Sequence, residues 1–369
     1  MLRQALRVVG GTAAAVTGGW AVRALHGVPD ALGANPARIA TVAGGSPNYR
    51  DGVFHNREPS STLSITRADM WKVAHDMFGG TDHAVPAQIP VLAPDPSVPA
   101  ADLAVTWYGH SSALIELDGY RILTDPVWSE RCSPSRAVGP ARLHPVPAPL
   151  DALPSVDAVI ISHDHYDHLD IDTIRGLARS QNAVFHVPLG IGAHLRRWGV
   201  PDGRIVELDW GQQVRFAELR IVCTPARHFS GRFLTRNTTL WSSWALIGPR
   251  HRAFFGGDTG YTAAFAGIGQ DHGPFDLTLM PVGAYHPSWP DIHMNPEEAI
   301  RAHRDMSDAG LFVPIHWATF RLAPHPWAEP IERMLAAATE AAVTAAVPRP
   351  GQRVRRTAAD PATDAWWRL

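Results

Sequence analysis

Between Leu103 and His316 short apolar runs recur, most of them closed by a turn or a polar residue: "LAVTWYG", "ALIELDGYRILTDP", "DAVIIS", "AVFHVP", "LRIVCTP", "WSSWALIG", "RAFFGGD", "LTLMPVG" and "GLFVPIHW". Such near-continuous runs predict strands buried on both faces. Helical patterning falls around and between them, at 171–180, 190–199, 296–306 and 328–344. Strands alternating with helices predict sheets covered by helical layers. The opening stretch, "LAVTWYGHSSALIELDGYRILTD", reads instead as an antiparallel meander turning at Asp118-Gly119. Together these patterns predict an α+β domain of αββα type over 101–350, a sandwich of two mixed β-sheets flanked by helices. No short-period repeat is visible.

Outside that region the pattern thins. Residues 28–100 are rich in Pro, Gly, Ser and Asn, with one helical stretch near "TRADMWKVAHDMFGG". Segment 36–100 is therefore expected to pack on the domain as an extension, and 351–369 to form a C-terminal tail. In the first 35 residues an uncharged stretch lies between Arg7 and Arg23. It is shorter than the roughly 20 residues that span a bilayer, and its glycines weaken it as a helix. Two readings stay open: a secretory signal or membrane-surface anchor, or a plain packing extension. The first, which is preferred, implies membrane association, with export through this segment; a cytoplasmic location stays open.

Composition narrows the chemistry mainly by exclusion. The chain has 369 residues, enough for a large core, and Lys+Arg 33 balance Asp+Glu 35. Near-neutral charge gives no electrostatic case for nucleic acid. Lys72 is the only lysine, which removes a P-loop, Schiff-base catalysis and the His/Lys/Asp sets of familiar phosphatidyl-transferring enzymes. No G-x-S-x-G, G-x-G-x-x-G or C-x-x-C occurs, and two cysteines make no disulfide framework.

What remains is concentrated in "SHDHYDHLD", residues 162–170, directly after the buried run "DAVII". His163, His165, Asp167 and His168 form H-x-H-x-D-H, and imidazole with carboxylate suits zinc, iron or manganese. Four donors in six residues exceed what one tetrahedral ion needs from one segment, so two ions are expected. Three further apolar runs each deliver a donor at their end: His228, Asp258 and His316. Open sheets place ligands outside their strand ends in this way. Seven donors suit three histidines on one ion, Asp/His/His on the other, and a bridging carboxylate. Asp125 in "LTDP" is expected to orient a ligand histidine from behind. Asn295, Pro296 and Glu298 predict a capped helix start just after His293. Tyr285 is a pocket candidate.

With these residues in view, the chain resembles the metallo-β-lactamase-fold hydrolases, and among them the N-acylphosphatidylethanolamine-hydrolysing phospholipases D. The matching stretches run in order across roughly 100–320: "TWYGHSSALIELDGYRILTDPVWS", "ISHDHYDHLD", "RHFSGR…LWSSWAL", "FFGGDTGY", "PVGAYHPSW…HMNPEEA" and "IHWATF". The resemblance implies His163, His165 and His228 as ligands of one zinc, Asp167, His168 and His316 of the other, and Asp258 as the bridge. It places His293 beside the substrate phosphate and Arg232 near the site. His286 stands where the family carries an acidic residue; it is the rival ligand, with a pocket-lining role preferred.

The implied reaction is hydrolysis of N-acylphosphatidylethanolamine to N-acylethanolamine and phosphatidic acid. Two Zn2+ (Fe or Mn suit the same donors) would lower the pKa of a bridging water to near 7, and the hydroxide would attack phosphorus, with Asp167 helping to orient it. The alternative keeps the site and changes the substrate to a soluble lactone, ester or phosphodiester. The expected partners are a phospholipid and a membrane surface; a homodimer is allowed.

Overall fold

The computed structural model describes residues 19–20, 22–60, 71, 85–232, 235–307, 309–355 and 364–368. The start of the chain and all but Trp71 of the expected helix near 66–80 lie outside these residues. Along the chain, β1 (Tyr49–Arg50) and β2 (Val53–Phe54) form a small hairpin. There follow β3 (Leu103–Gly109), β4 (Ser112–Leu117), β5 (Tyr120–Thr124), β6 (Ala158–Ile160), β7 (Val184–Pro188) and β8 (Ile205–Leu208). The second half supplies β9 (Gln213–Phe216), β10 (Leu219–Thr224), β11 (Ser243–Ile247), β12 (Arg252–Phe255), β13 (Leu277–Pro281), β14 (Leu311–Ile315) and β15 (Arg353–Arg355). A seven-stranded sheet has the order β15-β3-β4-β5-β6-β7-β8, and a six-stranded sheet the order β14-β13-β12-β11-β10-β9.

Each sheet is antiparallel on one side and parallel on the other. In the first, β3, β4 and β5 make the expected meander. Asp118 (φ 48) and Gly119 (φ 91) both take the left-handed conformation that lets a two-residue hairpin follow the strand twist. Helices α1 (Val28–Ala31) and α2 (Pro36–Ala43) precede the domain, and α3 (Ile171–Ser180) and α4 (Ile191–Arg197) cross between the parallel strands β6, β7 and β8. In the second sheet α5 (Ala264–His272) and α6 (Pro296–Met306) make the parallel crossovers, and α7 (Glu329–Glu340) follows β14. The last helix stops short of residue 344, where Ala342 turns left-handed at φ 54.

Side chains alternate between two buried faces. Ile115 and Ile122 enter the core between the sheets with Val105, Trp107, Ile221, Trp244, Phe255 and Val313. Their neighbours Leu114 and Leu123 face the other way, packing with Ile174 and Leu177 of α3 and Leu195 of α4. This double burial explains the continuous apolar runs. The chain is thus an α+β sandwich of two mixed sheets between helical layers.

Described segments on both sides of the 103–316 region pack into this sandwich. Residues 353–355, expected in a tail, pair with β3 as the sheet's edge strand, and Trp366 and Trp367 are buried. Trp366 donates from Nε1 to the Val347 carbonyl at 3.1 Å and lies 5.1 Å from the Trp317 ring. Upstream, Asn48 donates to Asp209 at 3.0 Å, and Phe54 enters the central core. Trp366→Ala should therefore lower unfolding free energy by about 3–5 kcal/mol, measured by urea denaturation.

Candidate metal centre

Loops leaving the strands of both sheets converge on one buried point. The 162–170 loop follows β6, His228 lies beyond β10, Asp258 beyond β12, and His316 directly ends β14. Asp258 Oδ2 is the common neighbour. It lies 3.0 Å from His316 Nε2 and 3.2 Å from His168 Nε2. His228 Nε2 is 3.7 Å away, and His163 Nε2 and His293 Nδ1 are each at 3.9 Å.

Two donor sets meet there. In the first, His163 Nε2 and His165 Nδ1 are 2.8 Å apart, and His165 Nδ1 and His228 Nε2 are 3.4 Å apart. Donors around a tetrahedral ion such as zinc, bonded to nitrogen at 2.0–2.1 Å, lie about 3.3 Å from one another. In the second, Asp167 Oδ2 lies 3.4 Å from both His168 Nε2 and His316 Nε2. His110 joins this set, its Nε2 2.9 Å from Asp167 Oδ2.

The groups behind the donors settle which ring nitrogen faces the centre. His168 Nδ1 donates to Asp125 Oδ2 at 2.6 Å, leaving Nε2 inward. Ser162 Oγ donates to the same carboxylate oxygen at 2.5 Å and so accepts from His163 Nδ1 at 2.9 Å. His228 Nδ1 donates to the Ile292 carbonyl at 2.8 Å. Fixing the outer nitrogen fixes the tautomer of the inner one. Asp125 therefore anchors two inward-facing histidines, His168 directly and His163 through Ser162.

Electrostatics match a cation. Burial pushes the His163, His165 and His228 rings below their ordinary pKa, keeping them neutral. Burial would raise Asp167 and Asp258, but the histidines around them, His168 with His110 and His316 at Asp167 and with His316 at Asp258, together outweigh it and hold both well below the carboxylate range. Burial would likewise lower His168 and His316. The surrounding carboxylates, Asp258 foremost, overcome it, raising His168 and pushing His316 up to about 9. His168 Nε2, His316 Nε2 and Asp258 Oδ1 are buried without a hydrogen-bond partner. Buried polar atoms are rarely left so, and inward donors around two carboxylates fit a divalent metal.

Other expected residues fall differently. Arg232, expected near substrate, is buried and engaged elsewhere. Its Nη1 donates to the carbonyls of Asp164 (2.6 Å) and Leu169 (2.8 Å), and its Nε to that of Ala31 (2.9 Å). Its guanidinium lies 4.1 Å from the Tyr166 ring centre. It clamps the 162–170 loop. His286 belongs to none of the metal-capable groups among the described residues; its Nδ1 accepts from the Ser288 amide at 3.1 Å. Tyr285 donates to Glu329 at 2.6 Å and stacks on His325. His293 lies at the centre, where burial lowers it to about 4.

Two contributors escaped sequence reasoning. His110 also follows an apolar run, "LAVTWYG", so the signal that marked His228, Asp258 and His316 was present. Asn56, in the N-terminal extension, exchanges two hydrogen bonds with the His228 backbone, at 2.8 and 3.1 Å.

Residues 120–317 match the β-lactamase superfamily domain, and the chain belongs to that superfamily of metal-dependent hydrolases. An N-acyl-phosphatidylethanolamine-hydrolyzing phospholipase D of Caenorhabditis elegans is 36% identical over 271 residues, 70% of this chain and 76% of that one. An uncharacterised protein of Mycobacterium tuberculosis is 60% identical across the whole of both chains. A solved metallo-hydrolase from Ignicoccus hospitalis superposes with a TM-score of 0.54 at 24% identity, covering 68% of this chain and 97% of that one.

Metal uptake must displace the proton that the carboxylates hold on the His168/His316 pair. With His316 raised to about 9, apparent metal affinity should climb as pH rises from 6 towards 9 and then level off. Calorimetric titration at pH 7 in two buffers of different ionisation enthalpy should report net proton release.

Proposed function

We propose that the chain is a dinuclear phosphodiesterase that hydrolyses N-acylphosphatidylethanolamine to N-acylethanolamine and phosphatidic acid, with two Zn2+ as its cofactors. The observation that carries this reading is the pair of donor sets sharing one carboxylate oxygen, Asp258 Oδ2, within 3.9 Å of five histidines. His163, His165 and His228 would hold one ion, Asp167, His168 and His316 the other, with Asp258 between them. The similarity to the Caenorhabditis elegans phospholipase supports the choice of substrate.

When bound, two such ions act as Lewis acids on phosphoryl oxygens and bring a water molecule to nucleophilic strength at neutral pH. The chain's own part is positional. Asp258 and Asp167 stay ionised at neutral pH and give the centre its fixed negative charge. Asp125 and Ser162 keep His168 and His163 turned inward. His293 is neutral and half-buried, its Nδ1 buried without a hydrogen-bond partner, and is assigned to the oxygens of the scissile phosphodiester. No side chain need serve as a covalent nucleophile. Both cysteine thiols are buried and pushed up by that burial, which disfavours thiolate chemistry.

A phospholipid substrate implies work at a membrane surface. No helix among the described residues is long and apolar enough to cross a membrane. Trp20, Val22 and Leu25 are exposed near the start of the described chain, and apolar side chains of this kind suit peripheral contact.

Purified protein loaded with Zn2+ should release N-acylethanolamine from N-acylphosphatidylethanolamine vesicles. Turnover confined to soluble lactones, esters or phosphodiesters would overturn the lipid assignment. Asp258→Asn should keep the wild-type circular dichroism spectrum while reducing kcat by at least about 100-fold, of the order seen when an electrostatic group of an active site is removed.

A further inference from the structure

His110 stands in the tight connection between β3 and β4, and its geometry is costly. Gly109 has φ +110 and His110 φ +52, and left-handed backbone is strained at a non-glycine residue. Such strain persists only where surroundings over-determine it, and here they do. The His110 amide donates to Thr319 Oγ1 at 2.6 Å. Its carbonyl accepts from Trp107 Nε1 at 2.8 Å and from the amide of His316, itself at the centre, at 3.0 Å. Thr319 is held in turn by His144 Nε2 at 3.0 Å. His144 Nδ1 donates to the Pro145 carbonyl at 2.8 Å, so its Nε2 accepts from the threonine hydroxyl. A Cβ at position 109 would meet His144 and Thr319 at 2.8 Å, so the turn admits only glycine there.

The strained turn aims one side chain. The His110 ring is buried, 4.1 Å from the His316 ring and 5.3 Å from that of Phe320. Its Nε2 meets Asp167 Oδ2 at 2.9 Å. A carboxylate only accepts, so Nε2 carries the proton. The bond lands on the same oxygen that lies 3.4 Å from His168 Nε2 and His316 Nε2.

We propose that His110 is a positioning residue for the metal centre: its Nε2–H holds Asp167 Oδ2 in the direction the Asp167/His168/His316 set requires. This rests on the assignment of Asp167 as a ligand. It predicts selectivity, because nothing ties His110 to the His163/His165/His228 set. Groups of this kind typically contribute 10–100-fold to metal affinity.

The test compares His110→Gln, which keeps an N–H near the Nε2 position, with His110→Met, similar in shape but without a donor. Both share the left-handed backbone penalty, so their difference isolates the hydrogen bond. Full-length wild type and both variants are titrated with chelator-buffered Zn2+, bound metal is counted by elemental analysis, and thermal melts of the metal-free proteins check folding. One binding step should weaken by about 10–100-fold in His110→Met and the other stay unchanged, with most of the loss recovered in His110→Gln. An unshifted His110→Met isotherm overturns the proposal. Equal losses in both variants overturn it too, since the imidazole would then be a direct ligand. If His110→Met does not fold, His110→Gln decides alone: affinity within about fivefold of wild type supports the assignment, and a larger loss overturns it. A wild type that takes up one ion per chain would count against the two-ion reading, while the same variant shifts would still decide the role of His110.

Discussion

The fold is organised around the placement of two carboxylates, Asp167 and Asp258, among histidines in a site largely shut off from water. Unpaired buried charge is strongly destabilising, so their position requires compensation within bonding distance. Without metal, the protons on His168 and His316 supply part of it, which is why the rings depress the pKa values of the carboxylates and the carboxylates raise those of the rings. A divalent cation supplies more charge in less space. The meeting of strand ends from both sheets at Asp258 Oδ2 follows from that requirement, because no single sheet edge presents so many inward groups.

Holding those ends in register falls to contacts far apart in sequence. Arg232 draws two carbonyls of the 162–170 loop and one from α1 onto a single guanidinium. Asp125 ties the loop to the end of β5. His110, Asp125 and His316 all adopt positive φ, at 52°, 33° and 62°. Backbone strain collected at one site marks residues held there by their surroundings. The centre is thus rigid because several strained backbones are each locked by hydrogen bonds.

Much of this was legible in the chain. Near-continuous apolar runs marked β3 to β7 and β10 to β14, since strands buried on both faces cannot alternate. The capping box of Asn295 and Glu298 appears as expected at the start of α6. Donors at the ends of apolar runs pointed to His228, Asp258 and His316, and the H-x-H-x-D-H loop supplied the other four. Strands β8 and β9 were not visible, because "IVEL" and "QVRF" are short and largely half-exposed or exposed. Nor was β15, a three-residue edge strand with two arginines. His110 went unnoticed because a meander makes the residue after a strand look like a turn. The carbonyl partners of Arg232 were not legible, because no side-chain pattern encodes backbone acceptors.

The chain order of the donors has a consequence for how the protein is made. A chain emerging from the ribosome folds from its N-terminal side first. His163, His165 and His228 have all appeared, with Asn56 ready to brace the last of them, before any of β11 to β14 exists. The second set must wait for His316, and the sheet that carries His110 gains its edge strand only when residues 353–355 arrive. Yet both sets depend on late-arriving chain: the three-histidine set is oriented only once the Ile292 carbonyl meets His228, and the set proposed for the second ion is complete only when His316 follows.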